Sequence, residues 1–156
     1  MKKYVKVNVT LDQTRLVPET ETEDEDAAFK DEKFVTTVNS EGELSSRGGK
    51  IKIIYYEDEI TGLIDCETTL SFDKQDPGRV TMSRDGLVKT AFMFCEGERY
   101  ISVYETEFGS FDLGIVTEKC ENSVTEDGGE MHIIYTVELR GARAEHNDIT
   151  IKIRTV

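Results

Sequence analysis

Apolar and polar residues alternate along most of this chain, and no stretch longer than two turns carries a helical period. Val5, Val7, Val9 and Leu11 share one side of the first run, after which the pattern stops. It resumes over Phe34–Val38 and strengthens over Ile51–Glu59, where Ile51, Ile53, Tyr55 and Glu57 have one parity. Ile64, Cys66, Thr68, Leu70 and Phe72 then alternate with Asp65, Glu67, Thr69, Ser71 and Asp73, a clean split between an inner and an outer face. Val80, Met82 and Arg84 follow, then Val88, Thr90, Phe92 and Phe94, then Phe111, Leu113 and Ile115. Ile133, Tyr135, Val137 and Leu139 align, and Ile149, Ile151 and Ile153 close the series.

Turn chemistry separates these runs. Asp76-Pro77-Gly78 presets φ with proline and follows it with the residue most tolerant of positive φ, while Asp85-Gly86 is a hairpin signal. Ile60-Thr61-Gly62, Glu96-Gly97-Glu98, Thr106–Gly109 and Thr125–Gly129 are further turns, too short for a crossover helix. Neighbouring strands must therefore run antiparallel. About ten strands joined in order form an all-β, antiparallel up-and-down meander, and closure into a barrel removes its exposed edges. A two-sheet β-sandwich is the alternative.

Residues 1–156 read as a single domain, long enough to build a core without disulfide or metal staples. Glu19–Asp26 has six acids in eight residues and nothing to bury, so a mobile acidic loop is expected at about residues 18–31. Nineteen Lys and Arg against 32 Asp and Glu leave a net charge of −13. That charge, with no strong basic patch, argues against nucleic acid. No apolar run approaches the ~20 residues of a membrane helix. Tyr4–Val9 alternates instead of forming a signal-peptide core. Cys66, Cys95 and Cys120 are odd in number and widely spaced, which fits reduced thiols. A cytoplasmic protein without membrane partners is the expectation.

Up-and-down alternation also sorts strand ends between two mouths. It brings Glu57, Cys66, Arg84, Tyr104, Glu105 and His146 to one rim and points Glu57, Cys66 and Arg84 inward. Neighbouring strands lie ~4.8 Å apart, within bridging reach of Glu and Arg. The Glu57/Arg84 pair is then either an ion pair closing the mouth or a receptor for a ligand carboxylate or phosphate. In the second case Tyr55 and Tyr104 hydrogen-bond the same molecule. The binding candidates are Tyr55, Glu57, Arg84, Tyr104 and Glu105, with either face of the Tyr100–Tyr104 run able to line the interior. No catalytic residue is assigned. Cys66 lacks a visible base, His132 alternates outward, and His146 with Asp148 and a rim glutamate is the one arrangement approaching a metal site. No cofactor motif is present.

Ala91-Phe92-Met93-Phe94-Cys95 is apolar on both faces, so its outer side is expected to be covered, either by Asp26–Lys33 with Phe29 or by a second copy in a homodimer. The leading functional expectation is a non-enzymatic barrel holding a small amphipathic molecule. Its apolar body would lie against Phe72, Phe92, Leu113 and Tyr135, with its polar head at Glu57/Arg84. A protein-interaction module with a filled barrel, acting through the acidic loop or the Ala91-Met93-Cys95 face, is the alternative, and a hydrolase or isomerase using rim carboxylates is a third.

One resemblance bears on the fold. Tyr55-Tyr56-Glu57, Glu67-Thr68-Thr69-Leu70, Arg84-Asp85-Gly86, Ser102-Val103-Tyr104-Glu105-Thr106 with Phe108-Gly109, and Glu145-His146-Asn147 leading into Ile149-Thr150-Ile151 together resemble the YwiB-like family of small bacterial proteins. The resemblance runs from about Lys3 to Ile153 and implies a calycin-like, or lipocalin-like, β-barrel. It implies no catalytic residue, and the chain has no Trp to match the Gly-x-Trp of lipocalins.

Overall fold

The computed structural model describes residues 1–18, 29–57, 66–86, 89–107, 109–139 and 142–156, apart from the side chains of residues 17, 18, 57, 104–106 and 142. Ten strands run in order: β1 (Lys2–Pro18), β2 (Phe29–Arg47), β3 (Lys50–Glu57), β4 (Cys66–Asp73), β5 (Asp76–Asp85), β6 (Thr90–Cys95), β7 (Arg99–Thr106), β8 (Gly109–Asn122), β9 (Gly128–Leu139) and β10 (Ala142–Thr155). They form one antiparallel sheet in the order β6-β5-β4-β3-β2-β1-β10-β9-β8-β7. The expected barrel is present, and a single continuous sheet replaces the sandwich alternative.

Sequence neighbours pair throughout, with two exceptions that define the topology. β1 pairs with β10 from Val5↔Thr155 to Arg15↔Glu145. β6 and β7 follow one another through the Glu96–Glu98 turn yet stand at the two edges of the sheet. The short turn sets their opposite directions but does not join them in a ladder. Its Gly97, at φ 81°, donates its N–H to the Thr117 carbonyl of β8 at 2.9 Å. Across the remaining seam the Ser102 hydroxyl of β7 donates to the Ala91 carbonyl of β6. The barrel is thus nearly closed, by a side chain where a backbone ladder would otherwise run.

Three expectations about extent change. β1 continues past Leu11 to Pro18, because Asp12–Arg15 is held between β10 on one side and β2 on the other, and residues 16–18 pair with residues 29–31 of β2. Phe29–Lys33 extends β2 and does not cover β6, and Phe29 is exposed. Of the segment expected as an acidic loop, Pro18 and Phe29–Asp31 are strand, while residues 19–28 lie outside the described residues. The Ile60-Thr61-Gly62 hairpin lies outside them too. Arg143–Asp148, read as turn-like, belongs to β10, with a register shift between Arg143 and Glu145.

Inward positions carry the core. Leu44, Ile51, Ile53, Leu70, Val80, Met82, Phe94, Ile115, Met131, Ile133 and Ile151 are almost entirely excluded from solvent and pack together across the bore. Lys6, Lys52, Glu130 and Lys152 are exposed on the outer face. Apolar residues inside and charged ones outside is the reverse of a transmembrane barrel. No helix among the described residues is long and apolar enough to cross a membrane.

The end where β2, β4, β6, β8 and β10 finish is sealed. The β8–β9 connection folds over it, burying Val124 and bonding Thr125 to Gly128 in both directions. Asn122 Nδ2 donates to the Pro77 carbonyl at 3.1 Å, tying this connection to the β4–β5 turn. The Glu126 carboxylate accepts from Lys74 Nζ and from Ser46 Oγ, and Lys3 Nζ donates to the Glu126 carbonyl and to Asp127.

Candidate functional site

At the opposite end, where β1, β3, β5, β7 and β9 finish, the bore opens into a cavity of about 510 Å³. This lies within the roughly 300–1,000 Å³ typical of small-ligand pockets. Phe92 and Tyr135 reach it from β6 and β9. Below them Phe94 is fully buried, with its ring centroid 4.6 Å from that of Tyr135 and 6.2 Å from that of Phe92. These three rings form the floor. Val9, Leu11, Val38, Leu113 and Ile149 make the walls, with Phe111 nearer the mouth.

Polar groups enter from two sides. Arg84 and Thr90, paired across β5 and β6, occupy one wall. Gln13 and Arg15 of β1 and Glu145 of β10 occupy the other. β1 and β10 place Gln13 opposite Asn147 and Arg15 opposite Glu145, so four polar side chains stand in two adjoining rows. Gln13 Nε2 donates to Asn147 Oδ1 at 2.7 Å, and Asn147 Nδ2 donates to Glu145 Oε1 at 3.2 Å. Arg15 Nε donates to Gln13 Oε1 and stands 4.0 Å from Glu145 Oε2. The Arg15 guanidinium carbon lies 4.8 Å from the centroid of the Phe34 ring, within the range of a cation–π contact. Gln13 is 8% exposed and Asn147 is fully buried, so this is a satisfied polar network in the wall of an otherwise apolar bore.

The five binding candidates divide. Arg84 lines the cavity as its parity predicted. Tyr55 is fully buried in the core and does not line the cavity, although it shares a row with Thr68 and Arg84. Glu57 pairs in register with Cys66, one row nearer the mouth than Arg84 and with β4 between their strands; its side chain lies outside the described residues. On β7, Ser102 is 2% exposed whereas Ile101 and Val103 are 53% and 50% exposed, so the Tyr100-Ser102 parity faces the bore. Tyr104 stands opposite Phe111 in register, and its own side chain lies outside the described residues. Glu105 stands opposite Ser110 in register, and its side chain likewise lies outside the described residues.

Depth along the bore corrects one of the apolar contacts. Phe72 is inward but sits at the sealed end beside Ile51 and Val124, far from the cavity lined by Phe92, Leu113 and Tyr135. Phe111, which shares the parity of Leu113 and Ile115, is partly exposed at the mouth. The residues the sequence reading missed are Gln13, Arg15, Glu145 and Asn147. Their signal was available, because Gln13 and Arg15 continue the parity of Val5–Leu11, and Asn147 and Glu145 that of Ile153–Ile149.

Other chemistry is sparse. His132 Nε2 lies 2.7 Å from Asp148 Oδ1, and His146 Nε2 lies 3.4 Å from Glu118 Oε1, so His146 and Asp148 have separate partners. No cluster of three metal-ligating side chains occurs among the described residues. Cys66 is buried, and burial pushes the Cys120 thiol up to about 11, away from nucleophilic use at neutral pH. The outer face of β6 has Ala91 exposed and Met93 and Cys95 half-buried.

An antiparallel ten-stranded barrel, sealed at one end and open at the other to a cavity that is apolar below and polar at the rim, defines the class of protein. The chain belongs to the family described as "Domain of unknown function (DUF1934)", which matches residues 20–151. It is similar to the "Uncharacterized beta-barrel protein YwiB" of Bacillus subtilis (strain 168), with 26% identity over 102 residues, 65% of this chain and 68% of the relative. The crystal structure of the ywiB protein from Bacillus subtilis has the same fold, with a TM-score of 0.70 over 99% of this chain and 93% of that one at 21% identity.

Proposed function

We propose that this barrel holds a small amphipathic molecule in its open end. The cavity of about 510 Å³ carries the reading, because its floor of aromatic rings and its polar rim match the two ends of such a ligand. The apolar body rests on Phe92, Leu113 and Tyr135, and the polar head lies between the Arg84/Thr90 wall and the Gln13/Arg15 wall. Native mass spectrometry of protein purified from its own host is the test. The expected result is a non-covalent adduct, lost in Leu113→Trp, which fills the cavity, with the circular-dichroism spectrum unchanged. Adduct-free protein, or an adduct that survives L113W, counts against the reading.

A second reading, interaction through the outer face, is favoured by exposed Ile101, Val103 and Ala91 beside the β6–β7 seam. It predicts a homodimer by light scattering that Val103→Lys dissociates.

A further inference from the structure

We infer that the occupant is an amphipathic monocarboxylate whose head is received by Arg15, an inference that rests on the cavity being a ligand site. Arg15 is placed in advance of any ligand. Its Nε is committed to Gln13 Oε1, one face of its guanidinium stacks on Phe34, and Gln13 is itself locked by Asn147. Gln13 and Asn147 are buried, so the bond from Nε and the Phe34 ring orient the guanidinium while its half-exposed outer edge faces the mouth.

This leaves the other edge of the group. Among the described residues the two terminal nitrogens of Arg15 have no hydrogen-bond partner, because Glu145 approaches Nε and at 4.0 Å makes no hydrogen bond. A guanidinium presenting a pair of terminal N–H groups is the geometric complement of a carboxylate. Charge points the same way. In a chain of net charge −13, the described charged side chains lining this cavity are two arginines, Arg15 and Arg84, against one carboxylate, Glu145.

Glu145 also selects among anions. Standing beside the fork, it repels a dianionic phosphate head more strongly than a single carboxylate. An uncharged alcohol gains neither the bidentate contact nor the charge. Gln13 acts as a positioning residue, because it touches the arginine and Asn147 while Arg15 presents the free edge.

Isothermal titration calorimetry with three probes of one chain length, decanoate, decan-1-ol and decyl phosphate, tests this on the full chain. Decanoate is expected to bind the most tightly. Arg15→Gln should weaken decanoate by about 10- to 100-fold and leave decanol unchanged. Arg15→Lys, which keeps the charge without the fork, should fall between. Gln13→Met should lower the decanoate-to-decanol preference by weakening decanoate alone; it also lowers the unfolding midpoint, because buried Asn147 loses its partner, but a purely structural role would weaken decanoate and decanol alike. If decanol binds as tightly as decanoate, if decyl phosphate binds more tightly, or if R15Q leaves decanoate untouched, the inference is overturned and the cavity remains a ligand site. If none of the three binds, the inference and the proposed function fail together.

Discussion

The two ends of this barrel are made by the same strands and differ in what the inward positions carry. Near the sealed end they are Ile51, Leu70, Phe72, Met131 and Ile153, which interdigitate across the bore, and the Val124 connection covers them. At the open end the same parity carries Arg84, Thr90, Gln13, Arg15 and Glu145, and the bore stays hollow. Small barrels are ordinarily filled by their own side chains. Here the change from filled to hollow coincides with the change from apolar to polar along β1, β5, β6 and β10. The network on β1 and β10 bonds the amides of Gln13 and Asn147 laterally, along the wall, instead of across the lumen.

Three measurements bear on that contrast. The largest effect is expected from truncation. Leu70→Ala removes a fully buried side chain from the filled half and should lower unfolding stability by about 3–4 kcal/mol in urea titrations, whereas Leu113→Ala at the cavity wall should cost about 1 kcal/mol. Equal losses would mean that the upper half is packed as tightly as the lower. Backbone strain comes next. Both Gly128 and Gly109 have positive φ, 98° and 128°, but a Cβ on Gly128 would lie 2.5 Å from the Ile153 carbonyl oxygen, while one on Gly109 meets nothing within 4 Å. Gly128→Ala should therefore cost about 2–3 kcal/mol and Gly109→Ala about 1 kcal/mol in the same titrations. The smallest effect is a pH dependence confined to the sealed end. Hydrogen bonds from Lys74 and then from Ser46 hold the Glu126 carboxyl below its ordinary range. Its contribution is present above the carboxyl's ordinary range and is lost as the pH falls through its lower native value. Glu126→Gln should remove a small acid-side slope in the unfolding midpoint and leave the neutral-pH value nearly unchanged. An unaltered slope would show that the lid is held by Val124 and its backbone bonds alone.

Much of the fold was legible because alternation reports directly on which face of a strand is buried. Ile133, Tyr135 and Val137, or Leu70 and Phe72, could hardly be arranged otherwise. The same alternation hid the site. β1 appeared to end at Leu11 because its next inward residues, Gln13 and Arg15, are polar, and the first residues of β10 looked like a turn because Asn147 and Glu145 are polar as well. A rule that finds strands by their apolar face loses them where that face lines a wet cavity. Arg84 was found because Val80 and Met82 precede it closely enough to carry the parity forward. Alternation is also silent about height along the barrel. It placed Phe72 with Phe92, although register sets them at opposite ends, and it could not sort Tyr100–Tyr104, where the apolar Ile101 and Val103 face outward and Ser102 faces in.

The strand order bears on how the molecule forms. β1 to β6 and β7 to β10 are two meanders, each built from contacts between sequence neighbours, and the ladder joining them is β1 with β10. Its Val5↔Thr155 pair is separated by 155 − 5 = 150 residues. Contacts of such separation must overcome the largest loop-closure entropy and are slow to form. Gln13↔Asn147 and Arg15↔Glu145 belong to this ladder, so the polar wall of the cavity lies at the joint between the two halves. Neither half owns the site, and it comes into being only when both have folded and met.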